Sequence, residues 1–533
     1  MKRKKLVVIL AIVCLIVFTF SLAACDLSGI LGGQQPGQGT GTPGSGNTGD
    51  GNKDDDKGNT GGNSGNSGGD DQVPSVPSIP GGDSSGDDNG DQNGDGDDDE
   101  KEYGPEVDEE DPRSVYLNGL KYTLNDDDSS YSCTDVDNRN HWKNVTIVAS
   151  VNDLPVTTVG WRALYQKIFI ESVTIEEGIT LINSDAFRYC ENLKSVTIPQ
   201  SVEIIGHGAF ASTGLTSVVI PEGVTTVSSQ AFMECTNLTT VSLPNSLESV
   251  SSSSFAYCSA LQYNEYDNAL YLGNSINPYI ALKKGKNSDI TTCQIHNDAK
   301  FLLGAAFSEF RNLTTVTGGN SLTFIEYEAF NNCSNLQSIV IPEGVTHIGS
   351  SAFYGCSSLT SITLPSTLKT VEYYAFIGCN SLQSLTMPLA QGYGEGTVSM
   401  SNLFGGPMGV ENLLEVPKSL KTITVTGGTR IEYAAFKDCT NVKQIILPQG
   451  ITSIDGSAFK NCASLTSIVI PASVTVIGNE AFLGCSSLAS ATFQVVDGWS
   501  ANGTTIASSG LSNTATAANY LRVTYVDYAW KRV

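Results

Sequence analysis

Residues 341–364 read Ile341-Pro342-Glu343-Gly344-Val345-Thr346-His347-Ile348-Gly349-Ser350-Ser351-Ala352-Phe353-Tyr354-Gly355-Cys356-Ser357-Ser358-Leu359-Thr360-Ser361-Ile362-Thr363-Leu364. Ile362 and Leu364 lie two apart, so both can face inward from one short strand while their neighbours face out. Pro365 ends that strand, because it has no N–H to give to a ladder. In Pro342-Glu343-Gly344 the Pro and the Gly occupy places that a type I turn prefers. Val345 and Ile348 then fall on the next edge of a coil, and Phe353 fills its far side. One such unit cannot bury its apolar edge alone; stacked copies can.

The stretch recurs. Phe187, Phe210, Phe232, Phe255, Phe307, Phe330, Phe353, Phe376, Phe404, Phe436, Phe459 and Phe482 form a series, and Leu164 extends it backwards. At nine of its twelve intervals the series advances by about 23 residues, a period that marks a solenoid. The other three are 52 (Phe255 to Phe307), 28 (Phe376 to Phe404) and 32 (Phe404 to Phe436). Insertions in solenoids commonly leave as loops, so loops are predicted near 262–300 and 389–420.

The repeated unit resembles that of the BspA-like leucine-rich-repeat family of bacterial surface proteins, over roughly 164–493. The resemblance implies a mostly β fold: a leucine-rich-repeat solenoid of about 23-residue repeats across 161–493. An open solenoid end exposes core and strand edges, so strand-rich caps are predicted at 113–160 and 494–533. In the first, Tyr122-Thr123-Leu124 leads into a turn at Asp126-Asp127-Asp128; in the second, Tyr520 to Trp530 reads as an apolar closing segment.

The start of the chain has a different character. Lys2, Arg3, Lys4 and Lys5 precede an apolar run from Leu6 to Phe20, which ends at Leu22-Ala23-Ala24-Cys25. This is the pattern of an export signal, 1–25. The Cys after small residues resembles the bacterial lipobox, in which that thiol takes a diacylglyceryl group and the signal is cut before it. An uncleaved membrane helix is the alternative, since Leu6 to Ala24 is almost long enough to span a bilayer. Residues 26–112 are Gly, Asn, Asp and Ser with little apolar content, so they read as a disordered, acidic linker. As a flexible tether it would coil to about 50 Å and stretch to roughly 300 Å. This segment carries 22 acidic and 3 basic residues, so most of the net charge of −25 lies outside the repeats. Nothing here suits nucleic acid, which needs clustered Lys and Arg.

No catalytic site, metal site or cofactor motif is legible. Nine cysteines (Cys190, Cys235, Cys258, Cys333, Cys356, Cys379, Cys439, Cys462 and Cys485) each follow the ladder Phe by three residues; Cys133 and Cys293 do not. No short Cys pair of zinc-site spacing occurs, so the nine read as small buried thiols rather than ligands or disulfides. His207 and His347 fall at variable repeat positions and are predicted to be exposed. Asp91, Asn93, Asp95, Gly96 and Glu102 match a calcium-loop pattern, but a segment this rich in Asp, Asn and Gly matches it by chance.

What remains is a surface. Outward positions of the strands form two uncharged columns, one of Ser195, Ser217, Thr240, Thr315, Ser338, Ser361, Ser384, Ser467 and Ser490. The other is Thr197, Val219, Ser242, Thr317, Val340, Thr363, Thr386, Val469 and Thr492. Of the second column, Thr197, Ser242, Thr317, Val340, Thr363, Thr386 and Val469 are the candidate binding residues. The lipobox implies a lipid anchor on Cys25, and the family resemblance implies a cell-surface protein that adheres to an extracellular protein or glycan. A structural spacer with no specific ligand is the second reading, and a wall-modifying enzyme acting from the insertions a third. If Cys25 is lipidated, the protein should partition with detergent and incorporate a fatty-acid probe, and Cys25→Ser should do neither; equal labelling of the variant would defeat the lipobox reading.

Overall fold

In the computed structural model the described residues are 106–108, 110–137, 141–389, 398–405 and 414–533. The signal sequence, Cys25, nearly all of the acidic segment and the calcium-loop match lie outside them, as does part of 389–420.

The coil quoted above shows how the chain closes. Its strand Ser361–Thr363 lies parallel to Ser384–Met387, with Ser361 opposite Ser384, Ile362 opposite Leu385 and Thr363 opposite Thr386. On the next edge His347–Ile348 pairs in parallel with Thr370–Val371. Equivalent residues of successive coils are therefore neighbours, and each strand hands its bonds to the equivalent strand of the next coil.

The third edge carries Phe353 and has no strand. Here the N–H groups of Ser351, Phe353 and Gly355 donate to the carbonyls of Tyr373, Ala375 and Ile377 in the next coil. The intervening N–H groups of Ala352, Tyr354 and Cys356 donate back to Gly349, Ser351 and Phe353. Alternation of this kind needs left-handed backbone on either side of the Phe: Ser351 has φ 55° and Gly355 φ 71°. Glu328 and Asn332, and Ser457 and Asn461, repeat the pair. A non-glycine residue there costs on the order of 1 kcal/mol. The cost is outweighed because the alternative is unpaired buried backbone.

Inside this edge the Phe rings form a column. Phe330, Phe353 and Phe376 stack at centroid distances of 5.2 and 4.9 Å with near-parallel planes. The same stacking joins Phe187 to Phe255, Phe307 to Phe376, and Phe436 to Phe482. The cysteines lie beside it. The Cys356 thiol donates to the carbonyl of Phe330, 3.2 Å away, and seven others of the nine donate likewise to the ladder residue one coil back. All eleven cysteines among the described residues are buried and free, and burial pushes thiols such as Cys379 and Cys439 up to about 12.

Both ends are covered. The sheet of short strands begins as antiparallel Ser114–Leu117, Leu120–Leu124 and Tyr131–Val136, then turns parallel through Leu154–Val159 into the solenoid. The long-strand edge already starts inside that module, where Asn144–Ile147 pairs in register with Ser172–Ile175. At the far end Trp530–Arg532 closes antiparallel on Val476–Ile477 and on Trp499–Ala501. This cap also holds two short helices, Ser508–Ser512 and Thr514–Asn519, so it is mixed rather than purely strand-rich. The Ala-rich run Ala515, Ala517 and Ala518 favours helix, and Ala517 and Ala518 give the small, buried face needed against the last coil.

The first insertion departs from expectation. Residues 262–300 do not leave as a loop. Asn264–Tyr266 and Ala269–Leu272 form a hairpin, and Ala281–Gly285 joins it antiparallel and then starts a fresh parallel sheet with Phe301–Leu302. Its apolar residues alternate, which buries both faces. Ala269, Tyr271 and Leu282 belong to a core that runs on to Trp530. Leu272, Ile280 and Ala281 belong to one that begins at Val115. The insertion is thus a septum between two stacked cores. It also contains a coil without a ladder Phe: the Gly285 N–H donates to Ala306 as ladder Phe residues do to their next coil. A Cβ on Gly285 would fall 2.4 Å from the ring of Phe310, which fills the missing ring's space. In the second insertion the described part is the short helix Met400–Phe404, which keeps Phe404 buried and accepts the Phe376 N–H at the Leu403 carbonyl.

Removing one ring from the column should be costly. Phe353→Ala should destabilise by roughly 3–5 kcal/mol in denaturant titration. Neither chelator nor reductant should move the melting temperature of the wild type; a large shift with either would mean that the thiols carry a metal or a bridge.

Candidate functional site

The long-strand edge presents the predicted columns to solvent. Thr197, Val219, Thr317, Val340, Thr363, Val469 and Thr492 are exposed, Val340 at 74% and Val219 at 67%. Ser242 and Thr386 are half-buried. Ser242 is partly covered because the septum bridges to it at Gly273. Beneath the columns Val218, Ile362 and Ile468 point into the core. The edge is laid down in four hydrogen-bonded blocks rather than one.

Ile446, 43% exposed, belongs to the same column and was missed, as was Thr424. The irregular intervals around Phe404 break the period there, so the column could not be carried through by counting. Pairing of Thr424 with both Thr386 and Ile446 restores it.

The neighbouring outward row is uncharged from Thr216 to Gln383, carries Lys421 and Lys443 next, and ends on the uncharged Thr466 and Ala489. At the N-terminal end it runs Lys143, Glu171, Lys194, with ammonium–carboxylate distances of 2.9 and 3.6 Å. In the middle, hydroxyls reach across coils: Thr239 Oγ1 donates to the Thr216 carbonyl and Thr314 Oγ1 to that of Thr291. The acidic residues of the turns are also structural. Glu177, Glu222 and Glu343 each accept backbone N–H groups of the following coil.

His347 is not exposed. Its ring stacks on Phe324 with centroids 4.1 Å apart, and Nδ1 lies 2.6 Å from Thr370 Oγ1. Burial pushes it down to about 4 and pushes Glu372, 3.5 Å from Nε2, upward. His207 is half-buried against Ser229. His347 sits in a short strand and His207 two residues past one, and each lies against its counterpart one coil away.

The structure also holds a polar cluster that sequence reasoning missed, at the septum. The Glu326 carboxylate is buried and accepts the N–H groups of Ser252 and Gly304, at 3.0 and 2.7 Å. The Lys283 ammonium donates to the Ser252 carbonyl at 2.6 Å, and Ser252 Oγ to the Tyr327 hydroxyl. Ser252 and Glu326 lie 74 residues apart in the chain, so no local pattern announces them. Burial pushes Glu326 up to about 7, against the pull of the N–H donors and Lys283, and pushes Lys283 down. Among the described residues no group of three or more His, Cys, Asp or Glu is placed to hold a metal ion. No helix among them is long and apolar enough to cross a membrane.

Strand edge, short-strand edge and Phe-bearing turn, recurring coil after coil, define a leucine-rich-repeat solenoid. The BspA-type leucine-rich-repeat region matches in six copies over residues 157–277, 279–392 and 415–518, and the chain belongs to that family. Solved leucine-rich-repeat proteins are similar to it. One from Bacteroides ovatus is 18% identical, over 71% of this chain and 94% of that one, with a TM-score of 0.26. One from Eubacterium ventriosum is 22% identical over 69% and 93%, with a TM-score of 0.28. A leucine-rich cell surface protein from Faecalibacterium prausnitzii is 24% identical over 72% and 96%, with a TM-score of 0.24. No match was found among curated proteins.

The Glu326 cluster makes stability depend on pH with a definite sign. Its carboxyl binds a proton more tightly in the folded chain, about 7, than at the ordinary 4.5, so its ionisation opposes folding. That penalty is absent in acid and grows as pH rises through the interval. Glu326→Gln is neutral at every pH. Its melting temperature should therefore gain on the wild type between about pH 5 and about pH 8. A difference that stays constant across that range would refute the assignment.

Proposed function

We propose that this chain is a binding protein of the cell surface, held to the membrane by a lipid on Cys25 and carried outward by residues 26–112. Its partner is an extracellular protein or glycan, taken on the long-strand edge. Membership of the BspA-type family supports the surface setting. Arrays of this kind typically serve as binding scaffolds rather than as enzymes.

The observation that carries the choice of surface is that the outward columns of that edge hold no charge and that most of their members are exposed. Val219, Val340, Ile446 and Val469 stand out among Thr and Ser, and each is 43–74% exposed. Such a platform is weakly hydrated, and it is lined by β-branched side chains with little freedom to lose on binding.

A screen against matrix proteins and cell-wall glycans should yield a saturable ligand, and a spacer without a ligand would yield none. Binding at this edge should change little with salt, because no charges pair there. Val340→Lys together with Thr363→Lys should abolish it while leaving the chain folded, since both side chains already face water. Binding that survives the pair, or that collapses at moderate salt, would move the site to the charged residues of the first insertion around Lys284 and Lys286.

A further inference from the structure

A second surface lies on the Phe-bearing edge near the N-terminal end. Trp161 is 62% exposed there. The Arg162 guanidinium carbon lies 4.8 Å from its ring centroid and 4.7 Å from that of Tyr165. One coil on, Arg188 lies 5.0 Å from the ring of Tyr189, and Tyr165 and Tyr189 meet edge to face at 5.6 Å. Between the two guanidinium groups is the buried Asp185 carboxylate, 3.5 Å from Arg162 Nε and 3.1 Å from Arg188 Nη1.

This cluster is built rather than accidental. Gly208, with φ +60°, stands above it, and a Cβ there would come within 2.6 Å of Asp185 Oδ1. The glycine leaves the room that the carboxylate occupies. Asp185 fixes the Nε side of Arg162 only; Nη1 and Nη2 have no partner among the described residues, and the side chain is 46% exposed. Two cations around one carboxylate leave the cluster positive, in a chain whose net charge is −25.

We propose that Trp161, Arg162, Tyr165, Arg188 and Tyr189 form a docking site for an acidic segment of a partner protein. A partner carboxylate takes the open Nη edge of Arg162 with two parallel hydrogen bonds, and adjacent apolar side chains pack on Trp161. Trp, Tyr and Arg are the residues that most often dominate protein interfaces. Here the rings already hold the guanidinium, so little further ordering is lost on binding. A sugar suits the site less well, because Arg162 covers faces of Trp161 and Tyr165 on which a pyranose would stack. This site does not depend on the strand-edge reading.

The test uses the full chain and a fluorescein-labelled peptide of Asp-Glu-Leu repeats, with its Asn-Gln-Leu counterpart, read by anisotropy. The acidic peptide should bind, and more weakly at about 300 mM salt than at about 50 mM. The amide peptide should bind at least about tenfold more weakly. Arg162→Ala should cost about tenfold or more. Arg162→Lys should cost nearly as much, because an ammonium lacks the planar pair of donors, and it guards against misfolding of the alanine variant. No binding of the acidic peptide, equal binding of the two peptides, or indifference to both Arg162 variants would overturn the proposal. So would Arg162-dependent binding of polygalacturonate without binding of the peptide, which would assign the site to an acidic glycan.

Discussion

Everything in this molecule depends on one constraint: each coil must pass its backbone hydrogen bonds to the next at an unchanging register. On two edges short parallel strands do this. On the third, alternate N–H groups cross to the next coil while the others close turns within their own. That edge tolerates left-handed backbone at Ser351, Glu328 and Ser457 because the interior leaves no water to satisfy a missed bond. The Phe column follows from the same register. Rings at equivalent positions must recur at the spacing of the coils, and Phe353 and Phe376, 4.9 Å apart, are as close as stacked rings and paired strands both allow. The cysteines complete it, because a small thiol reaches the Phe carbonyl one coil back without needing a second partner.

The same register governs which side chains the surface can carry. A residue in one strand lies about 4.8 Å from its counterpart in the next, so a column of like charges would repel along its whole length. Two solutions are visible. The middle of the long-strand edge avoids charge, with Thr, Ser and Val. The row at its N-terminal end alternates sign, as Lys143, Glu171 and Lys194. The Phe-bearing edge is freer, because its turns project side chains from left-handed positions. It is there that Trp161, Arg162 and Asp185 gather.

Period and polarity made much of this legible from residues alone. Phe at a fixed interval marked the coil, and apolar residues two apart marked the strand and its outward columns. Where legibility stopped, the cause was physical. Residues 262–300 break the period of the coils, and only the stacking of a core on each side turns their hairpin into a partition. His347 is polar and variable in the alignment of repeats, yet Phe324 one coil earlier offers it a ring to lie on. Ile446 escaped because counting lost the column at Phe404. Glu326 and Ser252 come together only when the septum closes the space between them.

That partition has a consequence for how such a chain can change over generations. Because most bonds join a coil only to its neighbours, the gain or loss of one complete repeat within either core restores the register at once, and a solenoid can lengthen or shorten by whole coils. The septum obeys a different rule. Its strands must meet one core with Ala269 and Tyr271 and the other with Leu272 and Ala281, and Lys283 must reach Ser252 from across the join. A duplication that cut through it would unpair both. Whole coils can therefore be added on either side of residues 262–300, while the septum itself is a fixed seam in an extensible thread.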